Sequence, residues 1–167
     1  MRRLVLAILV RNTSGVLSRV TGLFARRGYN IDSLTVGETL DNEISRITVT
    51  CYGDEIILNQ IKNQVMKLAD VIELIDLSEN ESVFRELLLI KVSAGERSRQ
   101  SIIEITNVFR AKIIDIAVHS LVLEITGDTA KNKAFVEMIK PFGIIELIKT
   151  GLTGVTRGTD EIGQIED

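Results

Sequence analysis

The chain has 167 residues and a formal net charge of −3, with 20 Lys and Arg residues against 23 Asp and Glu residues. It lacks the basic excess needed to neutralise nucleic-acid phosphates, which argues against a nucleic-acid-binding protein. Hydrophobic residues make up 45% of the chain, enough for a buried core, and the length fits one ordinary domain or two small ones.

The chain contains a single cysteine, Cys51, and a single histidine, His119. This composition excludes an intrachain disulfide and a zinc site built from several Cys and His ligands, and it fits a reducing compartment. The apolar run after Arg2 and Arg3 is short, and no stretch reaches the roughly 20 apolar residues that span a bilayer. We therefore expect a cytoplasmic protein without a membrane segment.

The first half of the chain alternates between strand and helix patterns. Residues 4–11 form a continuous apolar run typical of a buried strand. From Val16 the apolar positions recur as on one face of a helix, and Gly28 supplies the left-handed residue that ends many helices. The predicted elements are a strand at 4–11, a helix between Val16 and Gly28, strands at 30–36 and 44–51, a helix that begins near 53–54, and a strand at 71–77.

The second half repeats this order, which indicates a duplication. The Gly-Asp pair at 53–54 recurs at 127–128, and the sequence Ile-Glu-Leu-Ile at 72–75 recurs at 145–148. The predicted elements are a strand at 84–93, a helix at 98–109, strands at 112–118 and 119–126, a helix at 129–142 and a strand at 144–149.

The resulting order βαββαβ, present twice, predicts an α+β protein of two tandem ferredoxin-like modules. Each module has an antiparallel sheet with strand order 4-1-3-2 and both helices on one face. The second strand then lies at a sheet edge and carries Ile31, Leu34 and Val36. An exposed apolar edge favours pairing with a second copy of the chain, so we expect a symmetric dimer.

The polar stretch after the first module predicts the domain boundaries. We expect an N-terminal domain at 1–78, a linker at 79–82, a C-terminal domain at 83–158 and a flexible acidic tail at 159–167.

The sequence carries none of the usual enzyme signatures. Neither a phosphate-binding Walker motif nor a GxGxxG motif is present, and the Gly-rich segment at 151–154 precedes no predicted helix. The carboxylates lie scattered over turns and strand ends. Cys51 is predicted to be a small buried apolar residue and His119 a turn residue with a polar contact. No catalytic residue is therefore predicted.

The junction between the first strand and first helix is the best candidate binding site. Gly15 allows close approach of a ligand to the backbone, and the first-turn amides of Val16 and Leu17 are suited to a carboxylate. Asn12 offers both a donor and an acceptor. Asn30 can supply an acceptor from a second protomer. This combination suits a free amino acid, which carries a carboxylate, an ammonium group and a side chain.

A purely structural interpretation explains the same residues. The segment Asn-Thr-Ser-Gly at 12–15 is also ordinary helix-capping and turn sequence. Asn30 can simply hydrogen-bond within the turn that follows Gly28, and the direction of the Arg11 side chain is not predicted. The spacing alone leaves both interpretations open.

A longer motif makes the interpretation specific. The segments 12–20, 22–24, 27–31, 33–34 and 45–46, together with 109–115 and 157–158, closely resemble the small regulatory subunit of acetohydroxyacid (acetolactate) synthase. The similarity covers nearly the whole chain except its acidic end.

The resemblance implies an N-terminal ACT domain and an ACT-like C-terminal domain in a homodimer. Valine, or another branched-chain amino acid, would bind between paired ACT domains through Asn12, Gly15, Val16, Leu17, Asn30 and Ile31. It also implies that the chain has no cofactor of its own. It would activate a separate catalytic subunit carrying thiamine diphosphate, Mg²⁺ and FAD, and confer feedback inhibition on branched-chain amino-acid biosynthesis.

Three other functions remain open at this stage. The chain can be a free-standing amino-acid sensor that regulates another enzyme or a transcription factor. A small enzyme is compatible with the fold, although no nucleophile or acid–base pair is apparent. RNA binding by a sheet face lacks the aromatic residues and positive charge it requires.

Overall fold

The structure, a computed structural model, describes residues 2–77 and 81–158. The predicted tail at 159–167 and the first two residues of the predicted linker, 79–80, lie outside the described residues. The described chain forms two compact units. One contains the residues up to Val83 together with 152–158, and the other contains 84–151.

The first unit has the predicted βαββαβ order. Its four strands form an antiparallel sheet in the order β2-β3-β1-β4, as the sequence predicts. Its elements are β1 (Arg2–Arg11), α1 (Val16–Arg26), β2 (Ser33–Glu38), β3 (Ile44–Gly53), α2 (Glu55–Val65) and β4 (Val71–Asp76).

Alternate residues of the strands face the two helices and form the core. Leu4, Leu6 and Ile8 of β1 are fully buried there, because successive strand residues point to opposite faces. The helices contribute their apolar faces to the same cluster. Asp54 caps α2 by accepting a hydrogen bond from the Ile57 amide at 2.9 Å. The helices therefore cover one face of the sheet.

The second unit repeats this architecture. Its sheet has the order β6-β7-β5-β8, which corresponds strand for strand to the first. Asp128 caps α4 as Asp54 caps α2, through a 2.8 Å bond from the Lys131 amide. The elements are β5 (Ser82–Ser93), α3 (Glu96–Val108), β6 (Lys112–Ile116), β7 (Ser120–Gly127), α4 (Thr129–Ile139), a 3₁₀ turn (Lys140–Phe142) and β8 (Ile144–Lys149).

The edge strand of the first unit begins later than predicted. β2 starts at Ser33, whereas the sequence predicted a strand from Asn30. The intervening residues form a connection in which Asn30 Nδ2 donates to Asp32 Oδ1 at 3.2 Å. This local bond illustrates how Asn and Asp side chains favour turns over strand continuation.

The C-terminal end of the described chain departs from the expected domain division. Residues 152–158, here called the C-terminal strap, belong to the first unit rather than to the second. They contain a strand the sequence did not predict, β9 (Thr153–Thr156). Side chains of β2 and β3 bind the strap backbone, which explains its position.

Within residues 2–77 and 81–158, no helix is long and apolar enough to cross a membrane.

The α1 core gives a direct test of this fold. Phe24 is fully buried in the first-unit cluster, so Phe24→Ala should lower the free energy of unfolding by about 3–5 kcal/mol. Ile56 lies on α2 of the same unit with 71% of its surface exposed, and Ile56→Ala should change it by less than about 0.5 kcal/mol. Urea denaturation followed by circular dichroism measures both. Equal losses would contradict the assigned core.

Candidate ligand-binding site

The junction between β1 and α1 has an open helix N-terminus. Gly15 is the N-cap residue and has φ of +85°, a backbone conformation that favours glycine. No side chain caps α1, and the Val16 amide makes only a long 3.4 Å contact with the Thr13 carbonyl. The first-turn N–H groups of a helix have no intrahelical acceptors. This end of α1 can therefore accept a carboxylate.

Asn12 is held beside this junction by three hydrogen bonds. Its amide donates to the Glu43 carbonyl at 2.7 Å. Its Nδ2 donates to the Asn42 carbonyl at 2.8 Å and to Glu38 Oε1 at 3.2 Å. Within the described part of the chain, its side-chain carbonyl accepts no hydrogen bond. An acceptor for a ligand ammonium is thus left available.

Val16 and Leu17 have different roles in the fold. Val16 as a whole residue is only 3% exposed, and its side chain packs in the core of the first unit. The Leu17 side chain is 41% exposed, and it adds an apolar wall beside the amides. Both residues lie in the first turn of α1, as the sequence predicted.

Asn30 and Ile31 lie in the connection before β2. Asn30 is exposed and donates to Asp32, which agrees with the turn interpretation of this residue. Ile31 is half-buried and packs against the core of the first unit. Among the described contacts, Asn30 and Asn12 share no partner residue. Within one protomer, Asn30 and Asn12 are therefore not connected through a shared hydrogen-bond partner.

Two charged residues at the junction were missed by the sequence analysis. An ideal Cβ on Gly15 would lie 3.1 Å from Arg19 Nη1, so this guanidinium lies against the loop. Arg19 also pairs with Asp70, with Nε 2.7 Å from Oδ2. Glu38 brings a carboxylate to Asn12. Arg19 follows Gly15 by one helical turn, a spacing that points to it, whereas Glu38 reaches the loop only through sheet pairing.

The equivalent loop of the second unit makes side-chain hydrogen bonds of its own. Gly95 precedes α3, and its amide donates to Ser98 Oγ at 3.1 Å. Arg99 Nη2 donates to the carbonyls of Ala117 and Val118 at 2.8 and 2.6 Å. His119 is exposed and lines the same surface pocket as Gly95 and Arg99. The first-turn amides of α3 thus also lack a side-chain cap, and the two helix starts differ in that Gly15 is left-handed whereas Gly95 is extended and donates its amide to Ser98.

Cys51 is part of the core. It is 1% exposed and belongs to the first-unit cluster, where the sequence analysis placed it as a small apolar residue. Burial raises the pKa of its thiol to about 11, and the carboxylates of Asp32 and Asp76 add to this rise. The thiol is therefore protonated near neutral pH and unsuited to nucleophilic catalysis. Residues 2–77 and 81–158 hold no cluster of potential metal ligands.

Comparisons with known proteins agree with the fold. The family model described as the AHAS small subunit-like ACT domain matches residues 6–73, and the model for the small subunit of acetolactate synthase matches residues 85–158. The "Probable acetolactate synthase small subunit" of Archaeoglobus fulgidus is 45% identical over 92% of this chain and 96% of its own length. The acetolactate synthase small subunit of Mycobacterium leprae is 41% identical over 96% of this chain and 95% of its own length.

A solved structure supports the same family assignment. The crystal structure of the acetolactate synthase small subunit from Thermotoga maritima superposes with a TM-score of 0.89 and 34% sequence identity. The superposition covers 96% of this chain and 100% of the Thermotoga maritima chain. The first unit is thus an ACT domain within a pair of ferredoxin-like modules. The chain belongs to the family of acetolactate synthase small subunits.

The buried thiol should make stability depend on pH. Because folding raises the pKa of Cys51 from 9.0 to about 11, its contribution to stability is complete below pH 9 and is lost as the pH rises to 11. Over that interval the wild type should lose about 2–3 kcal/mol more unfolding free energy than Cys51→Ala. Urea denaturation at several pH values measures both slopes. Identical slopes would show that the thiol is not buried as described.

Proposed function

We propose that this chain is the cytoplasmic regulatory subunit of acetolactate synthase, which activates a catalytic subunit and confers feedback inhibition by valine or a related branched-chain amino acid. The uncapped N-terminus of α1 at Gly15 carries the proposal. Its amides are suited to the effector carboxylate, and the side-chain carbonyl of Asn12 is suited to its ammonium group. Family membership supports the catalytic partner.

The proposed effector site is completed by a second copy of the chain. β2 lies at the edge of the first sheet, where its outward N–H and C=O groups are available for pairing. Val36 of β2 is 47% exposed, so pairing would also remove apolar surface from water. In a symmetric dimer, Asn30 and Ile31 of one protomer would then face the Asn12–Leu17 junction of the other.

The catalytic chemistry belongs to the partner in this proposal. The catalytic subunit would carry thiamine diphosphate, Mg²⁺ and FAD, and this chain would bind none of them. Effector binding would act by shifting the population of two arrangements of the complex. A ligand can do so only to the extent that it binds the two arrangements with different affinity. A site shared by two protomers has this property, because relative rotation changes both halves together.

The first prediction of this proposal concerns Gly15. Gly15→Asp should abolish valine binding without unfolding the chain. Its carboxylate would accept hydrogen bonds from the amides that are proposed to bind the effector carboxylate. The new Cβ would meet only the flexible end of Arg19. Gly15→Ala has the same backbone strain without the charge, and it should retain weakened but measurable binding. Isothermal titration calorimetry with millimolar valine measures all three chains.

A matched control is available in the second unit. Gly95 also precedes a first helix, and no atom lies within 4 Å of an added Cβ, so Gly95→Asp should bind valine like the wild type. Circular dichroism checks that each variant is folded. Unchanged valine affinity in Gly15→Asp would refute the site.

The second prediction concerns the complex. Adding this chain to its cofactor-loaded catalytic subunit should raise the rate of acetolactate formation several-fold, and millimolar valine should reverse the increase. The Gly15→Asp chain should activate the catalytic subunit but remain insensitive to valine, because the substitution lies in the proposed effector site. A steady-state assay with increasing amounts of this chain measures both effects. Absence of activation at saturation would favour a free-standing amino-acid sensor instead.

A further inference from the structure

The C-terminal strap binds the face of the first sheet that the helices leave uncovered. Ser33 and Thr35 of β2 pair with Thr50 and Thr48 of β3, so their side chains share one face. Leu34, between them, packs into the helix-side core. The hydroxyl groups of Ser33 and Thr35 therefore point away from the helices, on the side where the strap lies.

Two hydroxyl groups of the edge strand bind the same strap residue. The Leu152 amide donates to Ser33 Oγ at 3.3 Å, and Thr35 Oγ1 donates to the Leu152 carbonyl at 3.4 Å. The Leu152 side chain is 4% exposed. These contacts satisfy both backbone polar groups of Leu152, as a neighbouring strand would. The strap is thereby attached directly to β2.

Arg46 of β3 provides the third attachment. Its Nη2 donates to the Gly154 carbonyl at 2.6 Å, and Gly154 is buried. Arg46 lies opposite Gly37 of β2, again on the face away from the helices. Within the described part of the chain, no carboxylate lies within ion-pair distance of this half-buried guanidinium. Among the described hydrogen bonds, its guanidinium therefore donates to a backbone carbonyl of the strap rather than to a carboxylate.

A second acceptor lies on the same face. Leu9 of β1 pairs with Arg46 on one side and with Glu73 of β4 on the other, so these two charged residues flank it. Burial lowers the pKa of Arg46, and the charge of Glu73 acts in the opposite direction. If the strap leaves, the Arg46 side chain can turn towards Glu73. The guanidinium thus has two alternative partners.

β2 connects the strap to the proposed effector site. The strand begins at Ser33, two residues after Ile31, and its last residue, Glu38, accepts the hydrogen bond from Asn12 Nδ2. The strap contacts lie between these two points, at Ser33 and Thr35. Any shift of β2 that accompanies effector binding must therefore also change the strap contacts.

We propose that the C-terminal strap is a latch that holds β2 in the form with high effector affinity, and that Arg46 is the residue that positions the strap. The inference rests on the proposed function and adds an internal regulatory element to it. Strap attachment and effector binding are then thermodynamically linked, and the linkage is reciprocal. Releasing the strap weakens effector binding by a given factor, and bound effector strengthens strap attachment by the same factor.

The test uses the full chain and valine as the probe. Arg46→Met removes the bond to Gly154 while keeping an extended side chain, and Ser33→Ala removes the acceptor for the Leu152 amide. Each should raise the Kd for valine by about 5- to 150-fold. Arg46→Lys keeps one donor and should restore part of the affinity. Isothermal titration calorimetry measures the Kd values.

Hydrogen exchange supplies a readout that a merely structural role would not change. Valine should slow amide exchange of residues 153–157 in the wild type, including the Arg157 amide that donates to the Glu81 carbonyl. It should not do so in Arg46→Met. The matched control is Arg99→Met, since Arg99 also donates to backbone carbonyls but in the second unit. This variant should bind valine like the wild type.

The outcomes separate the two proposals. A wild-type chain that does not bind valine overturns the proposed function and the latch with it. A wild type that binds valine supports the proposed site. The latch is then overturned if Arg46→Met and Ser33→Ala bind valine as tightly as the wild type does, and if valine does not change amide exchange in the strap of the wild type. Equal weakening by Arg46→Met and Arg99→Met would also overturn it, because the loss would then reflect general destabilisation. If Arg46→Met does not fold, Ser33→Ala and wild-type exchange decide the question.

Discussion

The positive φ of Gly15 is the constraint on which the binding site depends. It turns the chain from β1 into α1 without a side chain over the helix end, so no side chain caps the first-turn amides. In most helices a Ser, Thr, Asp or Asn side chain satisfies these donors. The N-terminus of α1 lacks this side-chain cap. Functional sites often contain such locally unfavourable features. Asp54 and Asp128 provide such a cap for α2 and α4, whereas α3 begins at Gly95 and, like α1, has no side-chain cap.

The rigid part of the first unit holds this junction in place. β1 is one of the two central strands, with seven consecutive residues from Leu4 to Val10 that are almost completely buried. α1 packs on it through Val16, Val20 and Phe24. The Arg11 amide donates to the Asp70 carbonyl, and Asp70 pairs with Arg19 beside Gly15. Sheet, helix and loop thus share contacts, which limits the motion of the amides relative to Asn12.

Most of the fold follows from patterns that are local in sequence. The helical spacing from Val16, the left-handed Gly28 and the repeated Gly-Asp pairs predicted the elements and the duplication, and the structure confirms both sheet orders. β9 escaped prediction because the short segment Thr153–Thr156 depends on partners more than 100 residues away in sequence. Glu38 escaped for the same reason, since only strand pairing brings it to Asn12. Side-chain bonds that cross the sheet leave no periodic trace in the sequence.

The strap makes the first unit discontinuous in sequence, with the whole second unit inserted between its two segments. A chain emerging from the ribosome completes the helix side of the first sheet early, but its other face must wait for residues made some 70 positions later. During that interval Arg46 and the hydroxyl groups of Ser33 and Thr35 lack their strap partners. Dissection of the protein at the middle of the chain therefore produces a first half that lacks part of its own folded unit.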